Sequence, residues 1–252
     1  MKWVEQETKL KEIALFLDFD GTLAPIVERP GDAKPLDGVV ALVEDLAKVV
    51  PLAVISGRGL DDVKGRLGAR GIHYAGSHGL EIADADGHRD GSEELERLLP
   101  LIEAVEEELH RCAEEWPGVE VERKRYGAAV HFRRAPHRQQ DVEQAVRTIA
   151  GADRRLKVGK GKMVREIQPA VESHKGTALE AIRSTLDPEK KRIPVYIGDD
   201  LTDEEAFEVV APDGVGILVA PEPRSSSARW RLDDPEQVRQ FLRRLASKLD
   251  VG

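Results

Sequence analysis

Asp18 and Asp20 stand two residues apart where an apolar run ends, in Asp18-Phe-Asp-Gly-Thr-Leu23. Strand residues two apart point the same way, so both carboxyl groups can face one crevice, and Gly21 lets the backbone turn at once. Two carboxylates at ~4 Å repel by about 1 to 4 kcal/mol, depending on dielectric, and a divalent cation removes that penalty. Asp-Gly is also a common turn pair, so the pair alone does not separate a site from a turn. Ser56-Gly57-Arg58 follows a second apolar run. A hydroxyl and backbone amides at a helix start can hold a phosphate oxygen, or the serine simply caps the helix. Lys175, in Ser173-His-Lys-Gly-Thr177, opens a helix and can neutralise transferring phosphate oxygens, although most lysines are merely solvated. The last group is Gly198-Asp-Asp-Leu-Thr-Asp-Glu204, four acids within six residues. Magnesium takes a few carboxylates, waters and phosphate oxygens. An acidic first helical turn is the simpler account of such a cluster, and Asp203 and Glu204 fit it in either case.

Apolar runs and helical periods must position these groups. Ile13–Leu17, Leu52–Ile55 and Ile72–Ala75 read as buried strands, with helical spacing at Val39, Leu42, Val43 and Leu46 and at Leu60, Val63 and Leu67 between them. This order implies a parallel sheet with helices on its faces. The style then changes. Leu95 to Cys112 keep one helical phase, with Pro100 either starting or kinking a helix. Val119–Lys124 and Ala128–Phe132 read as paired strands, Val142 to Ile149 as a helix, and Leu156–Val158 and Met163–Ile167 as two more strands. That is an α+β module. After Pro169 the first style returns, with a helix through Ala178, Ile182 and Leu186 and strands at Pro194–Ile197 and Val215–Val219. A helix at Ala206 to Val210 precedes a final one capped by Asp234 with Pro235 behind it. Asp18, Ser56 and Asp199 each follow a strand, and ligands in open α/β sheets bind outside the carboxyl ends of the strands. The expected layout is an α/β core, residues 1–82 and 172–252, split by an inserted module at 83–171.

The chain has 252 residues, 40% hydrophobic and 34% charged, as a soluble globular protein does. No window approaches the ~18 apolar residues of a membrane span. Met1 to Glu12 is charged and has no signal-peptide core. Cys112 is the single cysteine, so no intramolecular disulfide forms and a reducing cytoplasm fits. A net charge of −9 argues against nucleic acid as a partner. It also repels a phosphate substrate, which a bound cation would reverse locally. A cytoplasmic monomer with no obligate partner is expected.

The four groups, in this order, resemble the haloacid dehalogenase superfamily of phosphatases, and the inserted module looks like that superfamily's type C2 cap. Finer matches resemble the trehalose-6-phosphate phosphatases. They are Ser56-Gly-Arg58, Gly76-Ser-His-Gly-Leu-Glu81, Glu122-Arg-Lys124 with His131-Phe-Arg133, Glu166 before Pro169, and Gly198 to Glu204. The resemblance spans Leu15 to about Leu242. It implies a Rossmannoid parallel-sheet core with a C2 cap and Mg²⁺-dependent hydrolysis of a phosphosugar, trehalose 6-phosphate. Asp18 is then the nucleophile that forms an aspartyl phosphate. Asp20 is the general acid and base, and Ser56 and Lys175 hold phosphate oxygens. The metal set implied is Asp18, Asp20 through its carbonyl, Asp199, Asp200 and Asp203. For the last two, the roles of ligand, support and partner of Lys175 stay open. Gly21, Thr22, Gly57, Arg58, His78 and Glu81 from the core, and Lys124, His131, Arg133 and Glu166 from the cap, are the implied substrate contacts. Within this class, sucrose phosphate and mannosylphosphoglycerate phosphatases and hexose phosphomutases share the core motifs. A non-catalytic phosphosugar sensor would be expected to lack the nucleophile or the acid, and both are present.

Overall fold

A computed structural model describes residues 12–90 and 93–251. The chain forms two compact units. One takes the described residues up to Asp90 and from Ser173 onward, and the other runs between them to Glu172.

The first unit begins with β1 (Ile13–Leu17), every residue of which is buried. It continues through α1 (Val39–Ala47), β2 (Leu52–Ile55), α2 (Leu60–Leu67) and β3 (His73–Gly76). Two short strands follow: β4 (Glu81–Ala83) turns back antiparallel onto β3, and β5 (Arg89–Asp90) pairs antiparallel with β4. Residues 83–90, expected in the inserted module, therefore belong to this unit.

The second unit holds a one-turn α3 (Glu93–Glu96) and α4 (Leu99–Glu114). The single helical phase from Leu95 to Cys112 is thus broken, and Pro100 lies in the first turn of α4, where its missing N–H costs nothing. Strands β6 (Glu120–Lys124) and β7 (Gly127–His131), helix α5 (Gln139–Gly151), and strands β8 (Leu156–Gly161) and β9 (Val164–Pro169) complete it. The strands form an antiparallel sheet in the order β6-β7-β9-β8. Ala128, Val130, Phe132 and Ile167 pack with Ile102, Val105 and Leu109 of α4 and Val142 and Val146 of α5. Alternation puts Glu122, Lys124, Ala129, His131, Gly159, Glu166 and Gln168 on the opposite face.

The first unit resumes with α6 (Lys175–Leu186), β10 (Ile193–Gly198), α7 (Glu204–Val210), β11 (Val215–Val219), β12 (Trp230–Leu232) and α8 (Pro235–Lys248). Its sheet has the order β12-β11-β10-β1-β2-β3-β4-β5, parallel from β12 to β3. Ile13, Leu15 and Leu17 face α1, α2 and α8, and Ala14 and Phe16 face α6 and α7. Both faces are covered, which is why β1 reads as an unbroken apolar run. Chain order runs one way from β1 to β3 and the other way from β10 to β12, so β1 and β10 flank the switch point where such sheets bind ligands. Asp234 caps α8 by accepting from the Gln237 N–H at 2.8 Å. No helix among the described residues is long and apolar enough to cross a membrane.

Phe132 is 1% exposed, and the Arg165 guanidinium lies 5.3 Å over its ring. Phe132→Ala is expected to cost about 3–5 kcal/mol of stability. Urea denaturation checks this, and a loss below ~1 kcal/mol would show that the second unit's core collapses around the cavity.

Candidate active site

The register of β1 on β10 sets Leu17 beside Ile197, so each strand delivers an acid at its carboxyl end, Asp18 from one and Asp199 from the other. The Asp18 N–H bonds to the Ile197 carbonyl at 2.9 Å and ties the two ends together. Asp18, Asp199 and Asp203 bring carboxylate oxygens within 4.8 Å of one another. The Asp20 carbonyl belongs to the same tight turn, in which Gly21 has φ +73°. A Cβ at Gly21 would lie 2.0 Å from Asp199 Oδ2, so only glycine fits there.

Lys175 enters this cluster from the first turn of α6. His174 caps that helix, with its Nδ1 accepting from the Thr177 N–H at 3.2 Å and its own N–H bonding the Thr177 hydroxyl at 3.0 Å. The Lys175 ammonium donates to Asp18 Oδ1 at 2.8 Å and to Asp203 Oδ1 at 2.7 Å. Its side chain is 3% exposed, against 4% for Asp18 and 0% for Asp203. Burial alone would lower the lysine's pKa, but the two carboxylates outweigh it and raise it. Burial drives the Asp18 carboxyl well above its usual range, against the pull of Lys175 and with the push of Asp203 and Asp199. Asp199 is pushed up to about 7 by burial and then by Asp203. Three carboxylates around one ammonium leave negative charge unbalanced, and an all-oxygen donor set of this kind suits a hard divalent cation.

The two remaining acids take other parts. Asp203 Oδ1 also accepts from the Tyr196 hydroxyl at 2.5 Å, and its Oδ2 accepts the N–H groups of Asp199 and Asp200 at 2.9 and 2.8 Å. With two donors on each oxygen its acceptor sites are full. Asp203 thus anchors Lys175 and the loop within the acidic cluster it forms with Asp18 and Asp199. Asp200 is exposed and caps the short 3₁₀ turn Leu201–Asp203, accepting from the Leu201 N–H at 2.7 Å. It stands outside the acidic cluster. Tyr196, which passes in sequence for one more apolar strand residue, is the functional group that pattern reading missed; only its phenol amid Val and Ile hints at a buried partner.

Ser56, 1% exposed, follows β2. Its hydroxyl oxygen accepts from the Arg58 N–H at 3.1 Å, which leaves the hydroxyl proton free to be donated. The His78 ring occupies the space a Cβ at Gly57 would need, at 2.8 Å. His78 has φ 57° and Ser77 φ 50°, a strained pair fixed by bonds from the Ser77 N–H to the Arg58 carbonyl and from the His78 N–H to the Ser56 carbonyl. Thr22 is fully buried within the turn that follows Phe19, whose carbonyl accepts its N–H.

Two residues expected to meet substrate also make bonds within the protein. Glu81, 4% exposed, accepts from the Leu60 N–H at 3.3 Å and the Ser77 hydroxyl at 3.1 Å, so it caps α2 and braces the strained turn. Arg58 forks onto Asp20, Nε to Oδ2 at 2.6 Å and Nη2 to Oδ1 at 2.7 Å. In the second unit the open sheet face brings Lys124 and Glu166 together at 2.6 Å and His131 and Glu122 at 2.7 Å. Gln168 shares this face, a residue that its spacing of two from Glu166 could have revealed. Arg133 lies in the exposed turn after β7 rather than on the strand.

The sequence matches the model of the Trehalose-phosphatase family over residues 16–236. The trehalose-phosphate phosphatase of Mycobacterium ulcerans is 40% identical over 94% of this chain, which spans 62% of that protein's length. The probable trehalose-phosphate phosphatase 4 of Oryza sativa subsp. japonica is 36% identical over 96% of this chain and 68% of its own. A solved structure of a trehalose-6-phosphate phosphatase related protein superposes with a TM-score of 0.78 at 23% identity, covering 94% of this chain and 99% of that one. That structure speaks for the fold alone, whereas the sequence matches reach further: the chain belongs to the trehalose-phosphatase family.

Proposed function

We propose that the protein hydrolyses trehalose 6-phosphate to trehalose and phosphate, in the cytoplasm, through a phosphoryl group carried on Asp18. The observation that carries this reading is the meeting of Asp18, Lys175 and Asp199 at the switch point of the sheet. Family membership and the names of the relatives support the substrate.

In this reading an Asp18 oxygen attacks phosphorus, and the bond from phosphorus to the sugar oxygen breaks. Asp20 delivers a proton to that oxygen, an effect worth about 10²- to 10⁴-fold. It then takes a proton from water as the water attacks the acyl phosphate, releasing phosphate and restoring the Asp18 carboxylate. The Lys175 ammonium and the Ser56 hydroxyl hold the oxygens over which transition-state charge spreads. Mg²⁺, held by the Asp18 and Asp199 side chains and the Asp20 carbonyl, would neutralise phosphate charge as a Lewis acid. Asp203 is assigned to support because its oxygens are already engaged, and Asp200 because it is exposed and stands outside the acidic cluster. Sugar recognition is assigned to the open face of the second unit's sheet. There Lys124, Glu166, His131 and Glu122 offer polar hydrogen-bonding groups beside the small residues Ala129 and Gly159. A disaccharide carries hydroxyls on every side and needs such groups rather than an apolar wall.

Asp18→Asn is expected to abolish phosphate release from trehalose 6-phosphate with an unchanged melting temperature. Normal turnover in that variant would end the nucleophile assignment. Across a panel of phosphosugars, trehalose 6-phosphate should show the highest kcat/KM, and Glu166→Ala should lower it at least ~10-fold more than it lowers aryl phosphate hydrolysis. Equal losses on both would remove Glu166 from recognition.

Proton and cation compete for Asp199. Its carboxyl titrates near 7 when folded, above its ordinary ~4 when unfolded. The folded state therefore holds the extra proton between these values, and stability falls as pH rises through that window and levels off above it. Asparagine mimics the protonated form. In chelator, Asp199→Asn should exceed the wild type by a larger margin at pH 8 than at pH 5, while added Mg²⁺ should stabilise only the wild type at pH 8. Denaturant titrations at the two pH values measure this, and a pH-independent difference would contradict it.

A further inference from the structure

Two charged residues of α2, Asp62 and Arg66, belong to none of the groups so far given a role, yet they connect to Asp20 through Arg58. The Arg58 guanidinium makes four hydrogen bonds, all to protein. Two grip both oxygens of Asp20, a third from Nη1 reaches Asp62 Oδ2 at 2.8 Å, and a fourth from Nη2 reaches the Pro30 carbonyl at 2.9 Å. The group also lies 5.6 Å over the Phe19 ring. Its side chain is 11% exposed, so little of it is left for a ligand. One turn further on, Arg66 Nε donates to both oxygens of Asp62 at 2.8 and 2.9 Å, and its Nη1 bonds the Gly31 and Ala33 carbonyls at 2.9 and 3.0 Å.

These contacts form a line of alternating charge, Asp20–Arg58–Asp62–Arg66, braced on three carbonyls of the segment 30–33. Partly exposed ion pairs of this kind stabilise a fold little. What a forked, two-point pair does supply is direction, because it removes the rotamer freedom of both side chains. A carboxyl that must reach a leaving oxygen needs that direction, since an error of about 1 Å can cost ~10²-fold in rate.

We propose that Asp62 and Arg66 are positioning residues that aim the Asp20 carboxyl through the Arg58 guanidinium, and that Arg58 serves Asp20 rather than the phosphate. This rests on the reading of Asp20 as the general acid. A carboxyl that is out of place harms substrates whose leaving group needs a proton and spares those whose leaving group does not. The test is kcat/KM, which reports the first phosphoryl transfer, for trehalose 6-phosphate and for p-nitrophenyl phosphate in Asp20→Asn, Asp62→Asn, Arg66→Gln and Asp62→Glu, with melting temperatures in parallel.

Asp20→Asn is expected to lose about 10²-fold or more in the ratio of the two substrates. Asp62→Asn should lose about 10-fold in that ratio, Arg66→Gln less, and Asp62→Glu should recover part of it. If Asp20→Asn shows the selective loss while Asp62→Asn and Arg66→Gln lose equally on both substrates or gain on the sugar phosphate, the positioning role is overturned and the acid assignment stands. If Asp20→Asn itself loses equally on both, the acid assignment fails and the inference fails with it. Arg66, with a side chain 20% exposed, keeps the test open should Asp62→Asn not fold.

Discussion

One ammonium group buried between two carboxylates organises the core site. Lys175 joins Asp18 at the end of β1 to Asp203 in the loop after β10, three groups brought together from distant parts of the chain. Charges buried this deeply are costly to desolvate. Removing one partner of such an arrangement typically costs about 3–5 kcal/mol, because the others are left uncompensated. The arrangement is also unbalanced by design, since Asp199 adds a third carboxylate within the same few ångströms. A fold that tolerates this surplus does so where a cation and a phosphate can complete it.

Asp203 shows how one side chain can hold a site together. Its two oxygens collect the Lys175 ammonium, the Tyr196 hydroxyl and two backbone N–H groups, and thereby fix the backbone from which Asp199 projects. From the other side the Arg224 guanidinium donates to the Asp200 carbonyl at 3.0 Å and to Glu204 at 2.6 Å. The acidic loop is thus held from both sides, which limits the freedom of a segment whose like charges would otherwise drive it apart.

The second unit solves a different problem with the same kind of element. One face of its sheet is committed to an apolar core under α4 and α5. Period-two alternation then leaves the other face free to carry paired charges among small residues. Each acid there has a basic neighbour, Glu166 with Lys124 and Glu122 with His131, so the face presents hydrogen-bonding groups without a large net charge.

The sequence alone determined whatever depends on near neighbours. The apolar runs marked the long strands, because burial on both faces writes an uninterrupted signal. The acids and Ser56 stood out because each breaks such a run at its carboxyl end, and the α8 cap was readable as Asp234 before Pro235. Strands of two or three residues, such as β5 and β12, carry too little pattern to be seen, and the break before α4 is hidden because a helical phase continues across it. Tertiary structure alone decided the parts played by side chains whose partners lie far away in the chain. Glu81 turned out to cap α2, Arg58 to hold Asp20, and Asp203 to anchor Lys175. A carboxylate or a guanidinium has the same composition whether it meets a substrate, a metal or a backbone N–H. Its role is set by which donors and acceptors folding brings within about 3 Å, a long-range outcome that no local pattern encodes.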